Sequence, residues 1–418
     1  MCSDIQHHAF RPACVQGPFL LIFIAGLMGS GACSSSGTRE TAVVMDTVKC
    51  LKIQLGFPIQ AMQCGTLEDR HTGERSFYFA NTNTGRLLKR FDDEGHLLQE
   101  VSLSAAVDSL GLSVLGLMVQ GPDSIFLFSG VSDIGQFYVL LNDQGAVQRK
   151  GPLRSALVDS LGYTYELQPG AAGNCRLSNG LLFEVMCSGR STDTVAYATE
   201  YAYQQAYYSR VGRAAHMAIF HLGADGPSFK FAQYAFYDRS CAQGDTAARD
   251  WMDGPGFTCI NEQVYHISMY TPWVYRLDQR LTSIDSFLVR SDMGPCHVAL
   301  PVLGEIEAQH GQDSVNVRMS TRNFITSVNP CPPLGVVLTQ VMKGAPLSES
   351  SNPDWRPEWS WVVQDMNGVR LSEKHFASDT YDGWCVLWNK DRAWVKRAST
   401  AKEKREGVLY FDRLMLAP

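Results

Sequence analysis

The sequence has few charged side chains and no run of basic ones. Asp, Glu, Lys and Arg together make up 19% of the 418 residues, and the formal net charge is −6. Proteins that bind nucleic acids use clustered Lys and Arg side chains to neutralise phosphates. The scattered basic residues of this chain therefore argue against a nucleic acid as its partner.

Familiar catalytic motifs are missing as well. The chain contains no Gly-x-Ser-x-Gly turn, no His-Glu-x-x-His zinc motif, no Walker loop and no dinucleotide-binding glycine pattern. No Cys-x-x-Cys occurs, which argues against a redox motif or a zinc ribbon. The sequence therefore favours a protein that is not an enzyme, and it predicts neither a cofactor nor a metal.

Two weak metal-like patterns have simpler explanations. His216 and His221 are five residues apart, which puts their rings on opposite faces of a strand and favours ordinary strand positions. Asp92, Asp93 and Glu94 resemble calcium ligands, but they occupy a turn, where acidic residues are favoured for backbone reasons alone.

An apolar run near the N-terminus indicates export. Residues 19–28 read Phe-Leu-Leu-Ile-Phe-Ile-Ala-Gly-Leu-Met, and Gly-Ser-Gly-Ala-Cys follows, ending at Cys33. A run of about ten apolar residues fits the hydrophobic region of a removable signal and is half of what a membrane-spanning helix needs. We predict a signal peptide over residues 1–32.

Cys33 is the predicted lipid acceptor. Gly31 and Ala32 are small, as cleavage before a lipid-modified cysteine requires, and the Ser-rich stretch beyond Cys33 suits a flexible tether over residues 33–45. Ser30 stands where a lipoprotein signal usually has Leu or Val, and with Ala32 it also fits ordinary signal peptidase. A freely secreted protein is therefore the alternative. No second apolar stretch approaches membrane-spanning length, so any membrane attachment must come from Cys33.

Nine cysteines follow Cys33. In an exported chain we first expect disulfides between cysteines that are close in sequence, because the compartment is oxidising. Buried free thiols are the alternative, since large β cores bury cysteine readily. The local pairs are Cys50 with Cys64, Cys175 with Cys187, Cys241 with Cys259, and Cys296 with Cys331, and Cys385 is left over.

Residues 46–418 read as short β-like runs separated by turn residues. Residues 76–80, 87–91 and 97–101 are joined by turns at Gly85 and Gly95, which is the pattern of a three-stranded meander. Turns similar to the one at Gly95 recur at Gly145, Gly226, Arg280 and Gly368.

The spacing of these turns indicates a repeat. Successive intervals from Gly95 are 50, 81, 54 and 88 residues, and the two long ones are close to twice a unit, with room for missed hairpins at residues 178–185 and 315–328. A period of about 40–50 residues built from about four strands is typical of a β-propeller blade. We predict an all-β propeller of six four-stranded antiparallel blades, with seven blades as the alternative count and two β-sandwich domains as the alternative fold.

The ends of the chain predict how the ring closes. Residues 408–416 form a final β-like run, and residues 48–55 are a candidate partner near the N-terminus. Pairing of the two would leave no blade edge open.

Two aromatic clusters are candidate ligand-binding residues. Indole rings flanked by carboxylates and guanidinium groups suit a sugar or a peptide, because the rings stack on apolar faces while the polar groups fix orientation. Packing between blades is the alternative, and strand alternation puts Trp359 and Trp361 on one face while Trp355 precedes the strand. The candidates are Trp355, Trp359, Trp361, Tyr381, Asp382 and Trp384.

With this signal, lipid-acceptor cysteine, Ser-rich tether and turns such as Phe-Asp-Asp-Glu-Gly-His-Leu at residues 91–97, the chain resembles the six-bladed β-propeller lipoproteins of Bacteroidota, and most closely the DUF4221-like group. The resemblance implies a TolB-like or NHL-like propeller held at the cell envelope, in the outer membrane or the periplasm. It implies no assigned activity and no catalytic residues.

These observations together predict an envelope lipoprotein whose propeller is an interaction scaffold for a protein or a glycan. The alternative is a secreted propeller enzyme, a polysaccharide lyase or hydrolase. An enzyme should bring ionisable residues of different blades together in a deep pocket, whereas a scaffold should have a shallow, mostly neutral mouth with exposed aromatic rings.

Overall fold

The computed structural model describes most of the chain from residue 42 onward. The described residues are 42–59, 62–68, 74–82, 86–110, 114–130, 135–153, 155–167, 176–190, 215, 217–231, 256–267, 272–296, 321–346, 348, 356–389 and 392–417. Cys33 and the predicted signal peptide lie outside them. The first described element, β1 (Ala42–Gln54), begins before residue 46, the predicted start of the propeller domain.

The described strands form six antiparallel sheets. Blade 1 contains β2 (Met62–Glu68), β3 (Arg75–Asn81), β4 (Leu87–Phe91) and β5 (Leu97–Ser102). Blade 2 contains β6 (Val114–Gly121), β7 (Ser124–Ser129), β8 (Phe137–Leu141) and β9 (Val147–Pro152). Blade 3 contains β10 (Tyr163–Leu167), β11 (Arg176–Leu177), β12 (Gly180–Arg190), β13 (Met217–Gly223) and β14 (Gly226–Phe231), with β10 and β11 both pairing with β12.

The second half of the chain continues the same pattern. Blade 4 contains β15 (Gly256–Ile260), β16 (Gln263–Ile267), β17 (Trp273–Leu277) and β18 (Ser283–Leu288). Blade 5 contains β19 (Phe324–Cys331), β20 (Val336–Met342), β21 (Trp359–Asp365) and β22 (Arg370–Phe376). Blade 6 contains β23 (Tyr381–Asn389), β24 (Arg392–Arg397) and β25 (Val408–Ala417).

Blade 6 takes its outermost strand from the other end of the chain. Its strand order is β1-β25-β24-β23, and β1 pairs antiparallel with β25 from Ala42 opposite Ala417 to Gln54 opposite Val408. The predicted pairing of the two chain ends is confirmed. β2, the first strand of blade 1, contacts the first strands of blades 2 and 6, and buried clusters join every pair of successive blades. The sheets therefore form a closed ring, and the predicted six-bladed propeller is confirmed.

The hydrophobic core is divided among the contacts between blades. In the described part of the chain, six buried clusters each combine residues of two neighbouring blades, from blades 1 and 2 round to blades 6 and 1. Each sheet is therefore apolar on both faces, because it packs against a neighbour on either side. For example, Phe79 of blade 1 and Phe411 of blade 6 pack 6.2 Å apart between ring centroids.

One turn structure recurs before the outermost strand. In blade 2, Asn142 Oδ1 accepts hydrogen bonds from the backbone N–H groups of Gln144 (3.1 Å) and Ala146 (2.8 Å), and Gly145 has a φ of 78°. A short side chain that accepts from the backbone two and four residues on holds such a turn, and glycine adopts positive φ without strain. The same acceptor position is occupied by Asp92, Asp278 and Asp365 in blades 1, 4 and 5.

Blades 1, 2, 4 and 5 share this turn, and blade 3 has a two-residue turn, Ala224 and Asp225, at the same place between its last two strands. The repeat along the sequence is therefore one turn in each of these five blades. The long interval from Gly145 to Gly226 connects the turns of blades 2 and 3, which pack directly against each other. Blade 6 lacks the turn because its two outer strands, β25 and β1, are the two ends of the propeller.

The described helices are short. They are α1 (Ser104–Leu110), after blade 1, and α2 (Ala401–Glu406), between β24 and β25, and a 3₁₀ turn covers Pro332–Leu334. Within the described ranges, none of the helices has the length and apolar character needed to cross a membrane.

Candidate functional site

Trp359 and Trp361 are core residues of the contact between blades 5 and 6. Both side chains are fully buried, and they share one face of β21, as the alternation of the strand predicts. Trp359 stacks on Phe376 with ring centroids 4.0 Å apart and planes at 11°. Neither indole has a face left for a ligand, so packing between blades replaces ligand binding as the interpretation of these two rings.

Tyr381 is half-buried, and its hydroxyl is committed to an internal network. It donates a hydrogen bond to Asp412 Oδ2 at 2.9 Å, and Arg397 donates to both oxygens of the same carboxylate at 2.9 and 2.5 Å. Burial, together with the Asp412 carboxylate, raises the pKa of Tyr381 to about 12. The hydroxyl therefore fixes β23 against β25 within blade 6.

Asp382 faces the contact between blades 6 and 1. Lys396 Nζ, on a side chain only 7% exposed, donates to Asp382 Oδ2 at 2.6 Å. Because Lys396 and Asp382 neutralise each other, Asp382 has little net charge to offer a ligand. Trp355 and the side chain of Trp384 lie outside what the structure describes, so their role in binding stays a prediction.

The described cysteines do not form the predicted local pairs. Cys50, on the outermost strand of blade 6, is exposed and free, whereas Cys64 lies on the innermost strand of blade 1. Cys296 and Cys331 are buried, are not disulfide-bonded to each other, and lie in two different clusters on opposite faces of blade 5. The predicted pairs Cys50 with Cys64 and Cys296 with Cys331 are therefore wrong.

The remaining predicted pairs are only partly described. Cys259 is disulfide-bonded. Its expected partner Cys241, together with Cys175 and the side chain of Cys187, lies outside the described part of the chain. The cysteine left over in the sequence, Cys385, has its Sγ 3.1 Å from Cys64 Sγ.

A cavity of about 250 Å³ opens between blades 2 and 3. We call it the blade 2/3 cavity. Its polar lining consists of two amides, a hydroxyl and an imidazole, and its apolar lining includes two buried phenyl rings. The residues that line it are Gln120, Phe126, Leu177, Ser178, Asn179, Gly180, Leu181, Phe220, His221 and Leu222.

The turn between β11 and β12 forms one wall of the cavity and is held by blade 4. Asn179 Nδ2 donates to the carbonyl of Gln279 at 3.0 Å, and the Ser178 N–H donates to the Glu262 carboxylate at 2.9 Å. The turn also lies close to β13, since a Cβ on Gly180 would be 2.5 Å from the Phe220 carbonyl oxygen. Contacts to two blades therefore fix this wall.

Sequence reasoning did not find this cavity. Residues 178–180 were recognisable as a hairpin turn and His221 as a strand residue, but their neighbours in blades 2 and 4 are distant in sequence. His221 lines the cavity as an exposed side chain, and His216 lies outside the described residues.

Charged residues cluster on the outer rim between blades 4 and 5. Glu373, on the outermost strand β22, is 1% exposed and accepts hydrogen bonds from Ser291 Oγ at 2.7 Å and Ser360 Oγ at 2.6 Å. Arg370 binds both Glu373 and Asp292, and it lowers the pKa of Asp292. This cluster joins two blades and lies away from the innermost strands.

Two groups of acidic and histidine side chains have possible metal-ligand atoms within 4.8 Å of one another: Asp92, Glu94 and His96, and Asp292, Glu373 and His375. Both carboxylate sets already have protein partners. Asp92 Oδ1 accepts from two backbone N–H groups of its turn, as the turn interpretation predicts, and Arg370 neutralises the second group.

No protein-family model matches the sequence, and no curated protein matches it either. Among solved structures, a DUF4221 family member from Bacteroides vulgatus is similar with a TM-score of 0.56 and 10% identity, over 90% of this chain and 99% of that one. A protein of Bacteroides fragilis that is named a putative exported protein has a TM-score of 0.47 and 8% identity, over 90% of this chain and 97% of that one. A protein of unknown function from Dyadobacter fermentans has a TM-score of 0.43 and 10% identity, over 90% of this chain and 99% of that one. The chain is thus a six-bladed β-propeller with a fold similar to that of a DUF4221 family member.

Proposed function

We propose that the protein is an exported, envelope-anchored propeller that binds a glycan at the blade 2/3 cavity. The observation that carries this proposal is the lining of the cavity. Amide, hydroxyl and imidazole groups can each donate and accept hydrogen bonds, and they surround apolar side chains. A sugar ring presents the complementary surface, with hydroxyls at its edge and apolar C–H faces.

The size and charge of the cavity favour a glycan over a folded protein partner. About 250 Å³ is below the roughly 300–1,000 Å³ of sites that enclose drug-sized ligands, so it suits a single ring or a chain end. His221 is the one titratable residue among those that line it. A neutral, hydroxyl-rich ligand needs no compensating charge there.

The rigidity of the cavity supports the same proposal. Asn179 and Ser178 are held in place by Gln279 and Glu262 before any ligand arrives. A site whose polar groups are already ordered loses less conformational entropy on binding.

The alternative of a polysaccharide-cleaving enzyme needs a pair of carboxyl groups on either side of the scissile bond. The residues that line the cavity include no carboxylate. The described acidic cluster around Glu373 lies on the outer rim of blades 4 and 5 and is occupied by Arg370. These placements favour binding without cleavage.

We expect alanine substitution of His221 to weaken glycan binding by about tenfold, since the loss of one hydrogen bond in a preformed site costs on the order of 1–1.5 kcal/mol. The ligand is first identified on a glycan array, and calorimetry then compares wild type with His221→Ala. His375→Ala is the matched control, because it removes an exposed histidine that lies on a different blade, blade 5. This variant should bind the glycan as wild type does. Absence of array binding, equal affinity of both variants, or release of new reducing ends would each overturn the proposal.

The envelope anchor has a separate test. A fatty-acid probe fed to a bacterium that exports the protein should label wild type and Cys14→Ala equally, because Cys14 is removed with the predicted signal. Cys33→Ala should lose the label. Equal labelling of Cys33→Ala would show that the protein is secreted without a lipid.

A further inference from the structure

The contact between blades 6 and 1 brings two thiols together. Cys64 lies on β2, the innermost strand of blade 1, and Cys385 lies on β23, the innermost strand of blade 6. Their Sγ atoms are 3.1 Å apart, and both cysteines are free. They are 321 positions apart in the sequence, so the fold alone makes them neighbours.

We propose that Cys64 and Cys385 are a site of oxidation, and that their disulfide joins the first blade to the last. A disulfide has an S–S length of about 2.05 Å, so the two sulfur atoms need to approach by about 1 Å from where they stand. Such a change is within reach of small adjustments of the two side chains. The ring would then be closed by a covalent bond at its inner strands, in addition to the pairing of β1 with β25.

The surroundings give the two thiols different roles. The hydrogen bond between the two thiols lowers the pKa of Cys64, and the nearby Lys396 ammonium acts in the same direction against the effect of burial. The pKa of Cys385 is raised well above its ordinary value by the same contact and by burial. Cys64 is half-buried and Cys385 is buried. Cys64 is therefore the thiol that attacks first, and Cys385 the one that resolves.

The oxidant is an organic disulfide, either a small molecule or a protein of the export compartment. The Cys64 thiolate attacks one of its sulfur atoms, which forms a mixed disulfide and releases the first thiolate. Cys385 then gives up its proton, and its thiolate attacks Cys64 Sγ and expels the second. Two cysteine thiols and the disulfide of the oxidant thus become the Cys64–Cys385 disulfide and the two thiols of the reduced oxidant.

Cys259 is already disulfide-bonded, and the other cysteines whose side chains are described are placed differently. Cys50 is exposed on β1, and Cys296 and Cys331 are buried on opposite faces of blade 5. Burial raises the pKa of Cys296 to about 12, which keeps it as an unreactive thiol at neutral pH. Among Cys50, Cys64, Cys296 and Cys385, oxidation should therefore be selective for the pair at the contact of blades 6 and 1.

Peptide mapping of the wild-type protein tests the proposal directly. The purified protein is reduced mildly, exposed to glutathione disulfide, denatured without reductant, alkylated and digested. We expect a cross-linked peptide that contains Cys64 and Cys385, lighter by two hydrogen atoms than the two free peptides together. Alkylation of both cysteines in the oxidised sample, or a cross-link from either of them to another cysteine, would overturn the proposal.

Thermal unfolding gives a second measurement. Because the disulfide closes a loop of more than 300 residues, we expect it to raise the unfolding midpoint by roughly 10 °C. Reductant also breaks the bond at Cys259, so the comparison is between variants. The reductant-induced drop should be larger in wild type and in the control Cys331→Ser than in Cys64→Ser. An equal drop in Cys64→Ser and wild type would contradict a stabilising bond.

This test uses purified protein and an added oxidant, and it needs neither glycan binding nor lipidation. Its outcome is therefore independent of the proposed function.

Discussion

A chain that begins at residue 56, without β1, should fail to form a stable propeller. β1 is the outermost strand of blade 6, and ten of its residues lie opposite residues of β25. Its side chains Leu51 and Ile53, with the following Leu55, are buried between blades 6 and 1. Burial of three such side chains is worth about 5–9 kcal/mol, and the ladder of hydrogen bonds adds several more. That sum is comparable with the roughly 5–15 kcal/mol of stability of a whole domain.

The expected result is loss of the cooperative thermal transition and aggregation of the truncated chain, because β25 becomes an open edge strand. The matched control begins at residue 41 and keeps β1. It should unfold at the temperature of the full chain. A synthetic peptide of residues 42–55 should restore the transition when it is added to the truncated chain, by pairing with β25. A truncated chain that unfolds cooperatively at the control temperature would show that β1 is not needed for closure.

Gly407→Ala should destabilise the protein by more than about 3 kcal/mol, whereas Gly335→Ala should cost only about 1 kcal/mol. The two glycines have nearly the same backbone, with φ of 67° at both and ψ of 37° and 27°. A Cβ on Gly335 would meet nothing within 4 Å, but a Cβ on Gly407 would lie 2.1 Å from the carbonyl oxygen of Phe57. The strain of positive φ is therefore common to both variants, and the steric clash is confined to Gly407.

Urea unfolding of the two variants beside wild type measures the difference. Gly407→Ala should lower the midpoint strongly, since the backbone of the segment between β1 and β2 has to move. The Leu55 N–H donates to the Gly407 carbonyl at 2.8 Å, so the same movement disturbs the end of β1. A similar decrease of the urea midpoint in both variants would mean that the segment between β1 and β2 moves with little loss of stability, and that its close packing on Gly407 is unimportant.

Both predictions concern the place where the ring closes. α2 begins with a capping box, in which the Thr400 side chain accepts from the Glu403 N–H and the Glu403 side chain accepts from the Thr400 N–H. Gly407 caps the other end of the helix. The Ile59 N–H donates to the Lys404 carbonyl at 3.0 Å, so the helix also binds the segment that leads into β2. Closure thus depends on a strand pair and on a helix end.

The repeat could be predicted from sequence because its turns are local. An acceptor such as Asn142 and a glycine such as Gly145 lie within five residues, and their hydrogen bonds do not depend on the rest of the fold. The pairing of the two chain ends could be predicted for a similar reason, since a propeller needs both ends to form its last sheet. The hairpin predicted at residues 178–185 is present as β11 and β12, but it belongs to blade 3, because chain length between two turns does not say whether it forms one blade or two.

The cysteine pair and the cavity could not be predicted, because both depend on which blades become neighbours. Cys64 and Cys385 are separated by nearly the whole propeller, and proximity along the chain favoured Cys50 as the partner of Cys64. Alternation placed Trp359 and Trp361 on one face correctly. It could not say that the face is covered, since in a propeller both faces of a blade are interior.

The pairing of β1 with β25 also sets an order of events during synthesis. Of the described strands, β1 is made first and its partner β25 is made last. Until residues 408–417 are complete, β1 has no strand to pair with and blade 6 lacks its two outer strands. Contacts between residues so far apart in sequence slow folding. We therefore expect the pairing of β1 with β25 to be the final and slowest step. A chain delivered across a membrane from its N-terminus would accordingly keep blade 6 open until β25 arrived.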